Sequence, residues 1–352
     1  MQKTKPFIER LRAMTIRRIV ILILAVVFGV ALVGVLAAVL AVFVQYRRDD
    51  HPIALPSPRG PHPVGRMLMD WTDARRNREI MVFLWYPAQD GTAGHKCEYI
   101  PGTWGELEAE KMLPIPAKRY RELQVSAIED APLASGTMPL LVLLPGLGRI
   151  PAHYTALAED LASYGYLVAG VTPTGSSSVV VFSDGHMVHG GEFDPDTEGR
   201  IKTQETVETW AGDAAFALDQ LSVDSHFQHH IDVNKVGVFG HSFGGSVAAH
   251  LLQRDPRFSR GAVLDSGFFG DPIESLDRPL AILAADSQIE PEWKTLCDSM
   301  SLSENRLGKG DSPILLPGHR KIGTVPAGSR IGSKLKRIAD SRWPPPHPIF
   351  PR

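Results

Sequence analysis

Ser242 stands in the pentapeptide Gly240-His241-Ser242-Phe243-Gly244, between the short apolar run Val236–Phe239 and a stretch of helical character from Phe243 to about Gln253. A serine hydroxyl at such a strand-to-helix turn suits nucleophilic acyl transfer. The turn forces the central residue into a strained conformation that projects its hydroxyl, and the glycines remove side chains that would collide with neighbouring segments. The following helix N-terminus offers free N–H groups and a dipole favourable to developing negative charge. A serine that merely caps a helix in a glycine-rich turn shares the local pattern, so the surrounding elements carry much of the weight.

A serine hydroxyl attacks a carbonyl only once a base takes its proton, and that base needs an orienting acid. Asp265 follows the apolar run Gly261–Leu264, and Asp286 follows Leu280–Ala285; both positions are the carboxyl ends of expected strands, where the sites of parallel sheets gather. Downstream of Asp265 the histidines are His319 and His347. His319 follows the short apolar stretch Ile314–Leu316 and the turn Pro317-Gly318, whereas His347 lies in a proline-rich tail, so His319 is the candidate base. His241 adjoins the serine, but neighbouring side chains at such a turn diverge. The oxyanion of a tetrahedral intermediate needs two N–H donors. Phe243 supplies one, and the turn Pro145-Gly146-Leu147-Gly148 the other, from Leu147 or a neighbouring glycine.

The elements that must hold these residues alternate. Ile80–Tyr86 and Met138–Leu144 read as strands, the second being a continuous apolar run as in a buried parallel sheet. His153–Tyr164 has helical spacing, Leu167–Val171 is a further strand, and Glu205–Leu221 is a helix with Trp210, Ala214, Ala217, Leu218 and Leu221 on one face. Such alternation predicts an α/β fold with a mostly parallel sheet flanked by helices, the α/β-hydrolase architecture for this serine turn.

Residues 19–44 form an apolar stretch without a charge, preceded by Lys3, Lys5, Arg10, Arg12, Arg17 and Arg18. About 20 helical residues cross a hydrocarbon core, and the apolar part of a cleaved leader is about 7–15 residues long, so an uncleaved transmembrane signal-anchor is expected. The basic flank predicts a cytoplasmic segment 1–18 and an exported chain beyond it. Residues 45–64, rich in proline, read as a linker; 65–320 as the hydrolase domain; 321–352 as a divergent, poorly ordered tail. The 352 residues carry a net charge of −2, and outside the N-terminus no basic stripe favours nucleic acid. No metal-ligand spacing and no cofactor motif appears. Cys97 and Cys297 read as two isolated thiols, with one disulfide the alternative.

Trp85-Tyr86-Pro87, Leu143-Leu144-Pro145-Gly146-Leu147-Gly148, Gly240-His241-Ser242-Phe243-Gly244-Gly245 and Leu264-Asp265 together resemble the platelet-activating factor acetylhydrolases, calcium-independent, lipase-like phospholipase A2 enzymes. The resemblance covers roughly residues 65 to 290. It implies metal-free hydrolysis of short or oxidised sn-2 acyl esters of phospholipids. Ser242 would be the nucleophile, Asp265 rather than Asp286 the acid, and Leu147 and Phe243 the oxyanion donors. In that family a Phe and an Asp follow the catalytic His within a few residues; here Arg320-Lys321-Ile322-Gly323 follow His319. A general esterase or polyester hydrolase of the same fold, and a catalytically inactive membrane-anchored relative, remain as alternatives.

Overall fold

A computed structural model describes residues 5–48, 53–111, 117–285 apart from residues 268, 272, 274, 275 and 277, and 320–323. Asp286, Cys297, His319 and His347 lie outside the described residues, as does most of the tail. The chain divides into two units, Met1–Pro52 and Ile53–Arg352. The first contains helix α1, Lys5–Arg48, within which Ile23–Ala41 is long and apolar enough to cross a membrane and exposes its apolar side chains. At about 1.5 Å per residue those 19 residues run roughly 28 Å. By length and composition the segment suits a membrane anchor or a signal sequence.

The second unit opens on Ile53. Strands β1 (Val64–Asp73) and β2 (Arg78–Pro87) form an antiparallel hairpin, followed by the short helices α2 (Gly102–Lys111) and α3 (Ala117–Arg121) and the two-residue strand β3 (Ile128–Glu129). Strand β4 (Met138–Leu144), helix α4 (Thr155–Ser163) and strand β5 (Leu167–Thr172) come next. A small hairpin, β6 (Val179–Val181) and β7 (Met187–His189), precedes the long helix α5 (Gly199–Val223). Strand β8 (Ile231–His241), helix α6 (Phe243–Arg254), β9 (Phe258–Leu264), β10 (Leu280–Ala285) and β11 (Arg320–Gly323) complete it.

Nine strands make one sheet in the order β11-β10-β9-β8-β4-β5-β2-β1-β3. Strands β10, β9, β8, β4 and β5 run parallel, while β11 and β2 pair antiparallel with the two ends of that block. The parallel strands are continuous apolar runs because both faces are covered. On one face Val82, Leu84, Leu140, Val142 and Val238 pack against Trp210, Ala214 and Leu218 of α5 and Val247 and Leu251 of α6; Phe83, Trp85, Leu141 and Leu143 pack on the other with Ala158 and Ala162 of α4.

Several elements differ from expectation. Strand β1 was not foreseen, since Arg66, Asp70 and Asp73 interrupt its apolar residues. The buried Arg66 guanidinium donates to the Tyr99 and Glu98 carbonyls, and burial pushes its pKa down. The expected linker 45–64 contains the end of α1, and from Ile53 it lies along the hydrolase unit. Leu55 N–H donates to the Gln124 carbonyl at 2.9 Å, and Arg59 pairs with Asp160 at 2.6 Å. The boundary drawn after residue 320 falls inside β11, because Arg320–Gly323 add an edge strand to β10.

Candidate active site

Ser242 separates β8 from α6 and has φ 52° and ψ −126°. A non-glycine residue with positive φ costs about 1–3 kcal/mol and persists only where its surroundings over-determine it. The surroundings here are backbone. A Cβ on Gly240 would meet the Gly244 carbonyl oxygen at 2.1 Å, and one on Gly244 would meet the Pro145 and Leu144 oxygens at 2.3 and 2.4 Å. The glycines therefore let β8, α6 and the end of β4 close on one another around a half-buried serine.

The main-chain N–H of Ser242 donates to the Leu264 carbonyl at 2.9 Å, and the Gly245 N–H donates to the Ser242 carbonyl at 2.8 Å. Leu264 is the last residue of β9, so Asp265 emerges at the carboxyl end of the strand beside the serine's own. Asp265 also has positive φ, 53°, and its N–H donates to the Leu283 carbonyl of β10 at 2.7 Å. The structure thus brings Ser242 and Asp265 to the same edge of adjacent strands. His319 lies outside the described residues; Arg320, which follows it, pairs with Ala285 at the carboxyl end of β10.

The glycine turn after β4 also reaches the serine. A Cβ on Gly146 would come within 3.5 Å of Ser242 Cβ. Of its amides, Gly146 N–H donates to the Tyr154 hydroxyl at 2.9 Å and Gly148 N–H to the Ser176 carbonyl at 3.1 Å. The Leu147 N–H has no hydrogen-bond acceptor among the described residues. Phe243, first residue of α6, likewise has no intrahelical acceptor for its N–H. Its ring is buried in the core, against Trp210 at 5.0 Å, Phe269 at 5.6 Å and Phe193 at 5.8 Å between ring centroids.

A cleft of about 460 Å³ opens beside Leu147 and Gly148, walled by Ser176, Gly191, Glu192, Phe193 and Asp194. Trp210 Nε1 donates to Ser176 Oγ at 3.1 Å, fixing one wall from the core. Sequence reasoning missed Tyr154. Its hydroxyl accepts from Gly146 and lies 2.8 Å from His241 Nδ1, and no local pattern marks a tyrosine at the start of a helix for that role. Cys97 is a buried free thiol whose pKa burial pushes up to about 11.

Residues 49–189 match the family model described as platelet-activating factor acetylhydrolase, isoform II, and residues 137–307 match that of serine aminopeptidase, S33. The chain is 27% identical over 265 residues to a platelet-activating factor acetylhydrolase of Cavia porcellus, covering 66% of this chain and 60% of that one. It is 25% identical over 310 residues to a probable 1-alkyl-2-acetylglycerophosphocholine esterase of Arthroderma benhamiae, covering 78% of this chain and 76% of that one. It therefore spans less than two thirds of the Cavia porcellus relative's length. Among solved structures, a ferulic acid esterase from Streptomyces cinnamoneus superposes with a TM-score of 0.61 at 28% identity, covering 71% of this chain and 73% of that one. The fold is that of the α/β hydrolases.

Proposed function

We propose that this chain, a member of the platelet-activating factor acetylhydrolase-like family, is a serine carboxylic ester hydrolase acting on short or oxidised sn-2 acyl esters of phospholipids. The observation that carries the reading is the strained Ser242 at the β8–α6 turn, facing a loop whose Leu147 amide is left without an acceptor among the described residues.

In this reading Ser242 Oγ attacks the ester carbonyl while His319 takes its proton. Asp265 orients that imidazole and stabilises its charged form. The oxyanion sits between the main-chain N–H groups of Leu147 and Phe243, which are held in place beforehand and cost no reorganisation when the charge develops. His319 returns the proton to the departing lysophospholipid oxygen, leaving an acyl-serine. Water, deprotonated by the same imidazole, then releases the short acid and frees Ser242. The pairing of Arg320 with Ala285 supports His319, since it brings the chain back to the edge that carries Asp265. The helix α1 acts as an uncleaved anchor with a cytoplasmic N-terminus and an exported hydrolase, which puts the enzyme beside a lipid substrate.

A fluorophosphonate probe tests the chemistry. Labelling of the wild type that disappears in Ser242→Ala supports the enzyme; folded protein that takes no label makes it an inactive relative. His319→Ala is expected to lower turnover by several orders of magnitude, since a triad acts as a unit. The likeness to the ferulic acid esterase favours a second reading, a general esterase of the same fold. Turnover of 2-acetyl and long-chain phospholipids, p-nitrophenyl acetate and methyl ferulate separates the two. Preference for methyl ferulate over every phospholipid would overturn the phospholipid assignment.

A further inference from the structure

The turn after β4 carries three consecutive amides, those of Gly146, Leu147 and Gly148, and its Gly146 comes close to the candidate nucleophile. A working oxyanion site needs one of these amides aimed inward and held there. Gly148 is held by the Ser176 carbonyl at 3.1 Å, and Gly146 by a side chain, the Tyr154 hydroxyl, at 2.9 Å. An amide nitrogen can only donate, so the phenolic oxygen is the acceptor in that bond. The hydroxyl proton is then available to the other neighbour, His241 Nδ1 at 2.8 Å, when the imidazole carries its own proton on Nε2. His241 is the residue before Ser242. The chain Gly146–Tyr154–His241 therefore joins the loop carrying one oxyanion donor to the turn carrying the other.

We infer that Tyr154 is a positioning residue of the hydrolase, setting the Leu147 N–H against the Phe243 N–H through its bonds to Gly146 and His241. The inference rests on the reading of Ser242 as the nucleophile. Convergence of the three groups is tight: a Cβ on Gly146 would meet His241 Nδ1 at 3.1 Å, the Tyr154 hydroxyl at 3.4 Å and Ser242 Cβ at 3.5 Å. The tyrosine is itself fixed, because it ends the single helical turn Pro151–Tyr154 and leads directly into α4. In that turn the Ile150 N–H donates to His153 Nδ1 at 3.3 Å, and His153 Nε2 lies 3.2 Å from the Tyr120 hydroxyl. Burial pushes the Tyr154 phenol pKa up, which keeps its donor proton in place at neutral and mildly alkaline pH.

Loss of the hydroxyl frees the Gly146 peptide to turn and takes Leu147 out of register with Phe243. Removing an oxyanion donor outright costs about 10²–10³ in turnover, and loss of its support is expected to cost less, about 10–100-fold. Tyr154→Phe should therefore lower kcat on p-nitrophenyl acetate by that factor, with KM changed by less than about twofold. The rate of Ser242 phosphonylation by a fluorophosphonate should fall in proportion, since that adduct also places an oxygen in the hole. His241→Leu should give a loss of the same order, and the double variant should be no slower than the slower single, as expected of groups acting as one unit. His241→Asn, which keeps a polar atom near the Nδ1 position, should recover part of the loss. Tyr154→Phe with kcat within twofold of wild type would overturn the proposal, as would losses that multiply in the double variant. If Tyr154→Phe does not fold, the comparison of His241→Leu with His241→Asn decides: equal rates overturn it. Wild-type protein that takes no label at Ser242 overturns the underlying reading and this inference with it, whereas full labelling and full turnover in Tyr154→Phe overturn this inference alone.

Discussion

The N–H of Ser242 donates to the carbonyl of Leu264 at 2.9 Å, so the turn that carries the candidate nucleophile is bonded to the residue that immediately precedes the candidate acid. Asp265 in turn donates its own N–H to Leu283, on the next strand. Three neighbouring strand ends are thus fixed in series, and the two positive-φ residues sit where the bonds cross. Strain at both positions is held by the sheet rather than by loops, which suits a site that must not reorganise during the reaction.

Asp265→Asn removes the charge while retaining a residue that tolerates positive φ. Turnover is expected to fall by about 10⁴-fold with the thermal midpoint nearly unchanged. Asp265→Val, whose branched side chain resists that backbone, should lose stability as well. Thermal unfolding followed beside turnover separates the two effects.

Gly244→Ala is expected to abolish fluorophosphonate labelling and to destabilise the fold by about 3 kcal/mol or more. The added Cβ would lie 2.3 Å from the Pro145 oxygen, and backbone cannot step aside as a side chain can. Gly191→Ala is the control, with open space around its Cβ and a stability change within about 0.5 kcal/mol. Urea midpoints of the two variants measure the difference.

Asp213 on α5 is fully buried and accepts from Arg76 at 2.9 Å and Arg78 at 2.5 Å, tying the β1–β2 hairpin to the helix. Asp213→Ala removes the buried carboxylate that the two guanidinium groups share, leaving Arg76 its bond to Asp73 and Arg78 its bond to the Thr174 carbonyl. Both arginines remain partly exposed, so the loss should be about 2 kcal/mol, below the 3–5 kcal/mol of a wholly buried pair. Denaturant unfolding checks it.

Burial, helped by the nearby Arg149, lowers the His153 pKa to about 4 and outweighs the Glu108 carboxylate 3.6 Å from Nε2. A histidine whose folded pKa lies below its unfolded value of about 6.5 binds its proton more readily when unfolded. Its contribution is therefore fully present above about pH 6.5 and is lost as the pH falls toward about 4, at about 1.4 kcal/mol per unit. Burial shifts His250 in the same direction. Stability measured by urea unfolding should decline between pH 6.5 and 4, and the decline should be shallower in His153→Gln.

The sequence by itself determined the elements whose physics is local. Met138–Leu144 is readable as a central strand because a parallel strand covered on both faces must be apolar throughout, and its observed limits are the same residues. The serine turn is readable because strand, glycines and helix follow one another within a few residues, and Ser242 has the positive φ that such a turn requires. The family resemblance rests on these same short segments.

What only the tertiary structure decided involves partners far apart in the chain. Strand β1 carries Arg66, which reads as a surface residue until the carbonyls of residues 98 and 99 come to meet its guanidinium. The proline-rich stretch from Ile53 reads as a linker until Gln124, Asp160 and Ser163 supply its bonds. That Leu147 is the loop amide left without an acceptor among the described residues depends on Ser176 and Tyr154 occupying the other two, and Tyr154 meets a histidine 87 positions away. Residue type and spacing specify which groups can do chemistry. Which of them are already bonded, and so which one is left open, follows from chain segments that only folding brings together.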